Sequence, residues 1–367
     1  MTETGWTAAV GKSAFDRIGL HRLTSGFNPG APLILFLPGT NMNGELPLTD
    51  PDHWLPLYLA VHGCEVWALD YRTHFVPPDT PQPGLAELRG WTDARFVSDI
   101  DAAVNFILTA AAGRAQRRLY IAGFSRGAAF AYLYAAEHPQ KLAGLIILDG
   151  FILRRGSLGG PKISPPAAWA TDIGGKSLTY DKRKALLELV IRDPKAPAPI
   201  ARYRTAAENL DQVVYESKAF GGRGGLANPA GHFSDALTLA RVLITYDRYW
   251  PAVQDDEDPM TPELSRKLAA SKLPVIAFAS TNISPRWPSW VAGAAAQTGG
   301  PHTVIILAGW GHLDILCGTR AAARVYAPVR AWLTRHAAEE RGRAAGFSAA
   351  PSAGAPRPGP TSQSTGR

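Results

Sequence analysis

The sequence has few cysteines and no long apolar run, and each deficit excludes a class of protein. Only two of its 367 residues are cysteines, Cys64 and Cys317. They lack metal-ligand spacing and each stands beside an apolar run, so we expect buried free thiols and no metal site. No stretch approaches the roughly 20 apolar residues that a membrane span needs, which predicts no integral membrane segment.

The N-terminus lacks the pattern of a secretory signal, and the charges lack clustering. A signal peptide needs a basic segment followed by an apolar one, which MTETGWTAAVGKSAFDR does not contain. We therefore expect a cytoplasmic protein and leave secretion of a processed form open. The net charge is +7, but the basic residues are not gathered in one segment. We interpret the excess as a solvated basic surface and expect no nucleic-acid partner.

Short apolar runs alternate with helical patterns along most of the chain. This alternation predicts an α/β fold with a mostly parallel, doubly wound sheet covered by helices on both faces. The predicted strands are Leu33–Leu37, Cys64–Leu69, Leu119–Ala122, Leu145–Leu148, Val275–Ala279 and Val304–Leu307, with Gly19–Thr24 as an antiparallel edge strand. The predicted helices are His53–Val61, Ala94–Ala112, Ala128–His138, Trp287–Ala296 and Ile315–His336.

One long interval interrupts the alternation and predicts an insertion. Between Phe151 and about Pro262 the sequence shows no convincing core strand, and roughly 110 residues are too many for an ordinary connection. Its helical patterns are Lys182–Ile191, Ile200–Lys218 and Phe233–Trp250. We therefore expect a mainly helical cap. The predicted organisation is a core of residues 1–150 and 263–341, a cap of residues 151–262, and a disordered tail of residues 342–367 that is rich in Ala, Ser, Gly and Pro.

The most informative segment is RLYIAGFSRG, residues 118–127. An apolar run meets Gly123-Phe124-Ser125-Arg126-Gly127, and a run of small residues follows. This order predicts a strand, a sharp turn with the serine at its apex, and a helix. The turn strains the serine backbone, and a Cβ at either flanking glycine would collide with the neighbouring strand or helix. Because the turn leaves the hydroxyl exposed at the carboxyl edge of a sheet, Ser125 is the candidate nucleophile.

A serine hydroxyl needs a base, and His312 is the best candidate among nine histidines. Only His312 follows the last strand-like run directly, in VIILAGWGH, residues 304–312. The glycines at positions 309 and 311 allow a loop to bend back over the sheet edge that carries Ser125. The alternative is a loop or helix-capping histidine. His74 and His232 are further histidines that fit the lining of a pocket.

The anionic partner of the histidine is missing from its usual place, after the strand that precedes the histidine strand. The sequence has no Asp or Glu between positions 264 and 311, and Asn282 is the nearest polar substitute. Asp149 instead ends the apolar run of residues 145–148, on the strand after the nucleophile helix. A carboxylate there can reach the same histidine from the neighbouring strand, so Asp149 is the predicted acid. A helix-capping role for Asp149 and an acid from the cluster at residues 255–258 are the alternatives.

Acyl transfer also needs donors for the negative charge that develops on the carbonyl oxygen. The backbone N–H of Arg126, at the start of the helix after Ser125, is one candidate. The other lies in the loop LPGTNMNG, residues 37–44, where Thr40 is the best-placed residue and Gly39 permits the turn. A plain turn with no role in catalysis is the alternative for this loop.

These features resemble the α/β-hydrolase fold superfamily across roughly residues 30–335. The resemblance rests on the elbow GFSRG, the loop LPGTNMNG, the segment GWGHLDIL and the chain order of nucleophile, acid and histidine. GCEVWALDYRTH and HLDILCG look like parts of acid-lipase-type members, and the position of the acid is similar to that in pancreatic-type lipases. The chain departs from the family in having Pro38 where a histidine is usual and in lacking an acid after the Val275 strand.

The residues and the resemblance together imply a serine hydrolase that works through an acyl-enzyme intermediate, without metal or cofactor. A capped, apolar mouth favours a small hydrophobic carboxylic ester, with Asn41, Phe124 and Trp310 expected in the substrate pocket. We therefore predict a carboxylesterase or lipase-like enzyme. Thioesterase, amidase or transacylase chemistry, a non-catalytic ligand-binding member and a lipid-surface enzyme whose lid opens at interfaces are the alternatives. The oligomeric state and the natural substrate stay open.

Overall fold

An eight-stranded sheet, seen in a computed structural model of the chain, carries the elements that matter for function. The structure describes residues 1–26, 30–111, 118–152, 170–174, 178–215, 233–255 and 260–336. The strands are β1 Thr2–Ala9, β2 Arg17–Thr24, β3 Leu33–Leu37, β4 Glu65–Asp70, β5 Leu119–Phe124, β6 Leu142–Leu148, β7 Ala170–Asp172, β8 Tyr249–Pro251, β9 Val275–Ser280 and β10 His302–Leu307. The helices are α1 Leu55–Val61, α2 Asp93–Ala110, α3 Arg126–Glu137, α4 Tyr180–Arg192, α5 Ala206–Tyr215, α6 Ala236–Ile244, α7 Pro262–Ser271, α8 Trp287–Ala296, α9 Asp314–Cys317 and α10 over residues 321–336.

The strand order in the large sheet is β1-β2-β4-β3-β5-β6-β9-β10. The pairs β1–β2 and β2–β4 are antiparallel, and every other neighbouring pair is parallel. The prediction of a mostly parallel α/β sheet is therefore confirmed. Because β5, β6, β9 and β10 run in the same direction, the residues that follow them meet at one edge of the sheet.

The central strands are covered on both faces, as their composition requires. All five residues of β3, LILFL, are buried. Their side chains alternate between two apolar clusters, with Leu33, Leu35 and Leu37 in one and Ile34 and Phe36 in the other. Helices α2, α3 and α8 contribute to the first cluster, and α1 and α10 contribute to the second. A strand without polar residues is stable only in such a layered arrangement.

Each predicted core strand is present, and the differences lie at the periphery. Gly19–Thr24 belongs to an antiparallel strand, but β1 and not β2 forms the edge, pairing from Thr2↔Thr24 to Ala9↔Arg17. Sequence analysis missed β1 because its residues, TETGWTAA, are mostly exposed and show no apolar face. The small β7–β8 sheet and α7 were also missed. For α7 a usable signal existed, since Thr261 caps the helix and Pro262 begins it.

The helix predicted over Ile315–His336 is interrupted. Helix α9 ends at Cys317, and Gly318 has an extended backbone with φ −68° and ψ 147°. Thr319 N then donates a 2.6 Å hydrogen bond to Phe233 O, which turns the chain before α10 begins. The prediction of one continuous helix is wrong because a long-range contact replaces the helical hydrogen bonds at this point.

The interval between β6 and β9 contains α4, α5, α6, α7, β7 and β8. Buried residues of α4, α5 and α6 share an apolar cluster with Phe124 and Leu313, which lie at the carboxyl edge of the sheet. The cap and its boundaries stay predictions, and residues 153–169, 216–232 and the predicted tail lie outside the described residues. Within the described ranges, none of the helices has both the length and the apolar character that crossing a bilayer requires.

Candidate active site

The turn between β5 and α3 places Ser125 in a strained conformation at the sheet edge. Its backbone has φ 55° and ψ −118°, a region that residues with a Cβ rarely adopt. Ser125 N donates to Leu148 O at 3.0 Å, and Ser125 O accepts from Ala128 N at 3.0 Å. These bonds tie the strained residue to the neighbouring strand and to its own helix. Strain of this kind persists only where the surrounding structure holds it, and it is concentrated at functional sites.

The flanking glycines make this turn possible. A Cβ on Gly127 would collide with the backbone carbonyls of Leu37 and Pro38, and a Cβ on Gly123 would collide with the backbone at Gly127. The predicted steric role of both glycines is therefore confirmed. Neither obstacle is a flexible side-chain tip, so the strand and helix themselves would have to move.

Substitution of Gly127 by alanine is accordingly expected to lower the free energy of unfolding by about 3 kcal/mol or more. Gly293→Ala is the matched control, because it lies inside α8 and its added Cβ would meet no atom within 4 Å beyond the local helix backbone. The control should be neutral or stabilising by up to about 1 kcal/mol. Urea titrations of both variants measure the difference. Equal stabilities would contradict the steric account of the elbow.

Asp149 and His312 form a buried hydrogen-bonded pair. His312 Nδ1 lies 2.6 Å from Asp149 Oδ2. Asp149 is fully buried and His312 is 8% exposed. Three further donors reach the carboxylate: Ser280 N at 2.6 Å, Ser280 Oγ at 2.8 Å and Trp287 Nε1 at 2.9 Å. A buried carboxylate with four donors is fully satisfied, and so it is held in one orientation.

This pairing decides which imidazole nitrogen is free to act as a base. An ionised carboxylate only accepts hydrogen bonds, so the proton of a neutral His312 lies on Nδ1. Nε2 is then unprotonated and able to accept a proton. The ring is also confined by aromatic neighbours, since its centroid lies 4.5 Å from that of Phe124 and 5.9 Å from that of Trp287.

Ser125 and His312 line the same cavity, whose volume is about 520 Å³. Residues from the sheet edge and from α4, α5 and α6 enclose it, and most of them are apolar. The polar residues in the described lining are Thr40, Asn41, Ser125, Arg183, Tyr246 and His312. The apolar residues in the described lining are Met42, Phe124, Ile173, Leu178, Leu186, Leu187, Leu210, Val213, Val214, Leu243, Ile283, Trp287 and Leu313. Such a cavity suits an apolar ligand with one polar reacting group.

The loop of residues 39–42 borders the cavity beside Ser125. Gly39 O accepts from Met42 N at 3.0 Å, which closes a β-turn, and Asn41 has φ 62° at its third position. Asparagine tolerates this left-handed conformation better than most residues. The turn presents Thr40, which is exposed, to the cavity. Arg126 is the first residue of α3, so its N–H has no acceptor within the helix.

Comparisons with protein-family models and with solved structures identify the family and the fold of this chain. A family model described as the Alpha/beta hydrolase family matches residues 34–327. The chain belongs to the alpha/beta hydrolase family. None of the curated proteins matches it.

Several solved structures share the fold of this alpha/beta hydrolase. A proposed lipase from Sulfolobus solfataricus is 25% identical with a TM-score of 0.72, over 91% of this chain and 94% of that one. A thermophilic esterase from Thermogutta terrifontis is 16% identical with a TM-score of 0.51, over 92% of this chain and 99% of that one. A thermostable carboxyl esterase from Bacillus coagulans is 14% identical with a TM-score of 0.51, over the same shares. These likenesses support a hydrolase of this fold.

Most of the predicted site residues of this alpha/beta hydrolase are brought together. Ser125, His312, Thr40, Asn41 and Phe124 line the cavity, and Asp149 lies behind His312. The Arg126 side chain is held by Asp93 Oδ1 at 2.6 Å and by Gln254 O at 2.9 Å. Trp310 is not in the described lining, and its ring packs on Phe233 with 5.0 Å between centroids. We therefore leave Trp310 out of the proposed pocket.

Sequence analysis missed several residues that hold the site in place. Ser280 and Trp287 fix Asp149, although they are more than 130 positions away from it in the chain. Asp314 is fully buried and accepts from Gly311 N at 2.7 Å, which holds the loop that carries His312. The only available signal was the position of Asp314 two residues after the histidine. In the described ranges no cluster of three His, Cys, Asp or Glu side chains has a geometry that fits a metal ion.

The loop that contains Thr40 is tied to the segment after α6 in this alpha/beta hydrolase. Asp247 N donates to Asn41 O at 2.7 Å, and Asn41 Nδ2 donates to Asp247 O at 2.9 Å. His74 Nδ1 lies 3.0 Å from Asp247 Oδ1. Burial by itself would lower the pKa of His74. The hydrogen bond and charge of Asp247, with the charges of Asp70 and Glu45, outweigh burial and raise the pKa to about 9.

The raised pKa of His74 predicts a loss of stability in mild alkali. A histidine whose pKa is higher in the folded than in the unfolded state stabilises the folded state. The stabilisation is complete when the pH is below the unfolded-state pKa of about 6.5. This contribution is lost as the pH rises through about 9. Relative to His74→Gln, we expect the wild type to be more stable by about 1–3 kcal/mol at pH 6, with the advantage declining toward pH 9.5. Denaturant titrations across this range measure it. His302→Gln, at an exposed position, is the control, and an advantage independent of pH would contradict the assignment.

Proposed function

We propose that this alpha/beta hydrolase is a serine hydrolase that cleaves hydrophobic carboxylic esters. The observation that carries the proposal is the meeting of Ser125, in its strained turn, with the buried Asp149–His312 pair at one apolar cavity. A nucleophile, a base and a group that orients the base are the parts that acyl transfer requires. The esterases and the proposed lipase with the same fold support this reaction class.

In the proposed mechanism His312 Nε2 takes the proton of Ser125, and the serine oxygen attacks the ester carbonyl carbon. Asp149 keeps the Nδ1 proton in place and stabilises the imidazolium that forms. The backbone N–H groups of Thr40 and Arg126 donate to the oxyanion. Collapse of the tetrahedral intermediate expels the alcohol, which receives the proton from His312. Water then attacks the acyl-enzyme with His312 again as the base, releasing the acid and restoring Ser125.

The composition of the cavity supports an ester of a hydrophobic acid or alcohol over a sugar or phosphate compound. Aliphatic and aromatic side chains from both the core and α4–α6 line it, so transfer of an apolar chain from water into it is favourable. A volume of about 520 Å³ is in the range of pockets that enclose small organic ligands. This supports a small substrate held largely out of water.

The experiment that tests the proposal combines active-site labelling with a substrate panel. A fluorophosphonate probe should modify Ser125, detected by peptide mass spectrometry. p-Nitrophenyl esters of increasing acyl length should be hydrolysed faster than matched thioesters and anilides. Labelling with a preference for thioesters or amides would replace the ester assignment. Absence of both labelling and turnover would favour a non-catalytic ligand-binding protein, and a rate jump above the substrate solubility limit would identify an interfacial lipase.

A further inference from the structure

One charged side chain in the cavity has no role in the proposed chemistry. Arg183, on α4, lines the cavity together with Leu186 and Leu187 from the same face of that helix. Its Nη2 is inaccessible to solvent and has no hydrogen-bond partner among the described residues. The guanidinium lies over the ring of Tyr246, another lining residue, with 5.8 Å from Cζ to the ring centroid.

Among the described residues, no negative charge balances the guanidinium of Arg183 in the cavity. The guanidinium stays protonated in proteins and presents five N–H donors, so it cannot escape burial by losing its proton. Burial lowers the pKa of Arg183, and the groups that oppose this effect are the phenols of Tyr246 and Tyr180. The described lining contains no Asp or Glu. A guanidinium that is partly withdrawn from water without an anion beside it is unfavourable unless a ligand supplies the anion.

Other buried or half-buried arginines of this protein are paired. Arg72 makes a two-point contact with Asp99, at 2.7 Å and 2.6 Å. Arg126 is paired with Asp93 at 2.6 Å, and Arg248 is paired with Asp172 at 2.8 Å. The fold thus supplies a carboxylate to these guanidinium groups. Arg183 differs from them in facing a cavity that also contains the candidate nucleophile.

We propose that Arg183 binds a carboxylate of the substrate, so that the preferred substrates are esters that carry a free carboxylate at the end of an apolar chain. This inference rests on the proposed ester hydrolysis. The flat fork of a guanidinium matches the two oxygens of a carboxylate, and one positive charge balances one negative charge. A phosphate would bring up to two negative charges to a single arginine. The apolar lining, including Leu186, Leu187 and Leu243, contacts the chain that joins the carboxylate to the ester.

Two matched substrate pairs test the proposal and locate the carboxylate. The acyl-side pair is p-nitrophenyl hexanoate and mono-p-nitrophenyl adipate, which differ by a terminal methyl or carboxylate. The alcohol-side pair is pentyl acetate and 5-acetoxypentanoate, followed by pH-stat titration. We expect the wild type to prefer the carboxylate member of one pair. Arg183→Met should lower kcat/KM for that member by about 10- to 100-fold while leaving its neutral counterpart within about twofold.

Controls separate recognition from a structural role of Arg183. Lys182→Gln removes one positive charge from the exposed face of the same helix and should leave both pairs unchanged. Arg183 is half-buried and has no carboxylate beside it in the described lining, so removing its charge should not lower the melting temperature, and Arg183→Met should be at least as stable as the wild type. Loss of activity toward both members of a pair, with a lower melting temperature, would show that Arg183 only supports packing and would overturn the proposal.

Binding measurements keep this inference separate from the proposed function. Calorimetry on Ser125→Ala should detect adipate, and Arg183→Met in that background should weaken its binding by about 10-fold or more. If the enzyme hydrolyses neutral esters but neither carboxylate member is preferred, the inference fails and ester hydrolysis stands. If no ester is hydrolysed but adipate binds through Arg183, the proposed function fails and the anion site stands.

Discussion

Substitution of Ser125 by alanine is expected to remove nearly all turnover while leaving the fold unchanged. The serine oxygen forms the bond to the acyl group in the proposed mechanism. The substitution removes only this hydroxyl group. We expect kcat to fall by at least about 10⁴-fold. The backbone at position 125 is equally strained with serine or alanine, so the free energy of unfolding should change by less than about 0.5 kcal/mol.

The control for this substitution is Ser289→Ala, at an exposed serine of α8 whose hydroxyl donates to Arg286 O. It should retain wild-type kcat. Steady-state kinetics with p-nitrophenyl butyrate and denaturant titrations of both variants provide the comparison. Substantial residual activity in Ser125→Ala that resists a fluorophosphonate inhibitor would contradict the assignment of the nucleophile.

Asp149→Asn should lower kcat by about 10⁴-fold, because it changes the tautomer of His312. Asp149 Oδ1 accepts from Ser280 N and Trp287 Nε1, and neither donor can reverse its role. The amide oxygen of asparagine must therefore take this place, which turns its NH2 group toward His312 Nδ1. Nδ1 then has to accept, the ring proton moves to Nε2, and the base that Ser125 needs is lost.

The same substitution should lower the free energy of unfolding by about 1–3 kcal/mol, since a fully buried carboxylate loses its charge-assisted hydrogen bonds. Asp314→Asn is the matched control, because Asp314 is also fully buried but accepts from Gly311 N and Ser234 Oγ. Asp314→Asn should lower the free energy of unfolding by a similar amount, but it should decrease kcat much less than Asp149→Asn does. If Asp149→Asn retains activity while Asp258→Asn is severely impaired, the acid is misassigned. Position 258 lies outside the described residues.

Features carried by short stretches of chain were predicted well from the sequence. The apolar runs of the central strands and the elbow at residues 123–127 depend on contacts between near neighbours, and the structure contains them. Elements whose stability comes from distant partners were missed. Strand β1 is defined by pairing with β2, and the small strand β7 by pairing with β8. Their own residues carry little apolar periodicity.

The sequence by itself determined the parallel α/β sheet, the sharp turn at Ser125 and the carboxyl edge on which the candidate residues lie. The sequence favoured Asp149 among several candidate acids, but only the tertiary structure showed its contact with His312, 163 positions away, and the hydrogen bonds by which Ser280 and Trp287 hold the carboxylate. The tertiary structure alone placed Arg183 in the same cavity as Ser125. The physical reason is that strand and turn preferences depend on a few neighbouring residues. The position of a buried charge depends instead on hydrogen-bond donors that come from distant parts of the folded chain.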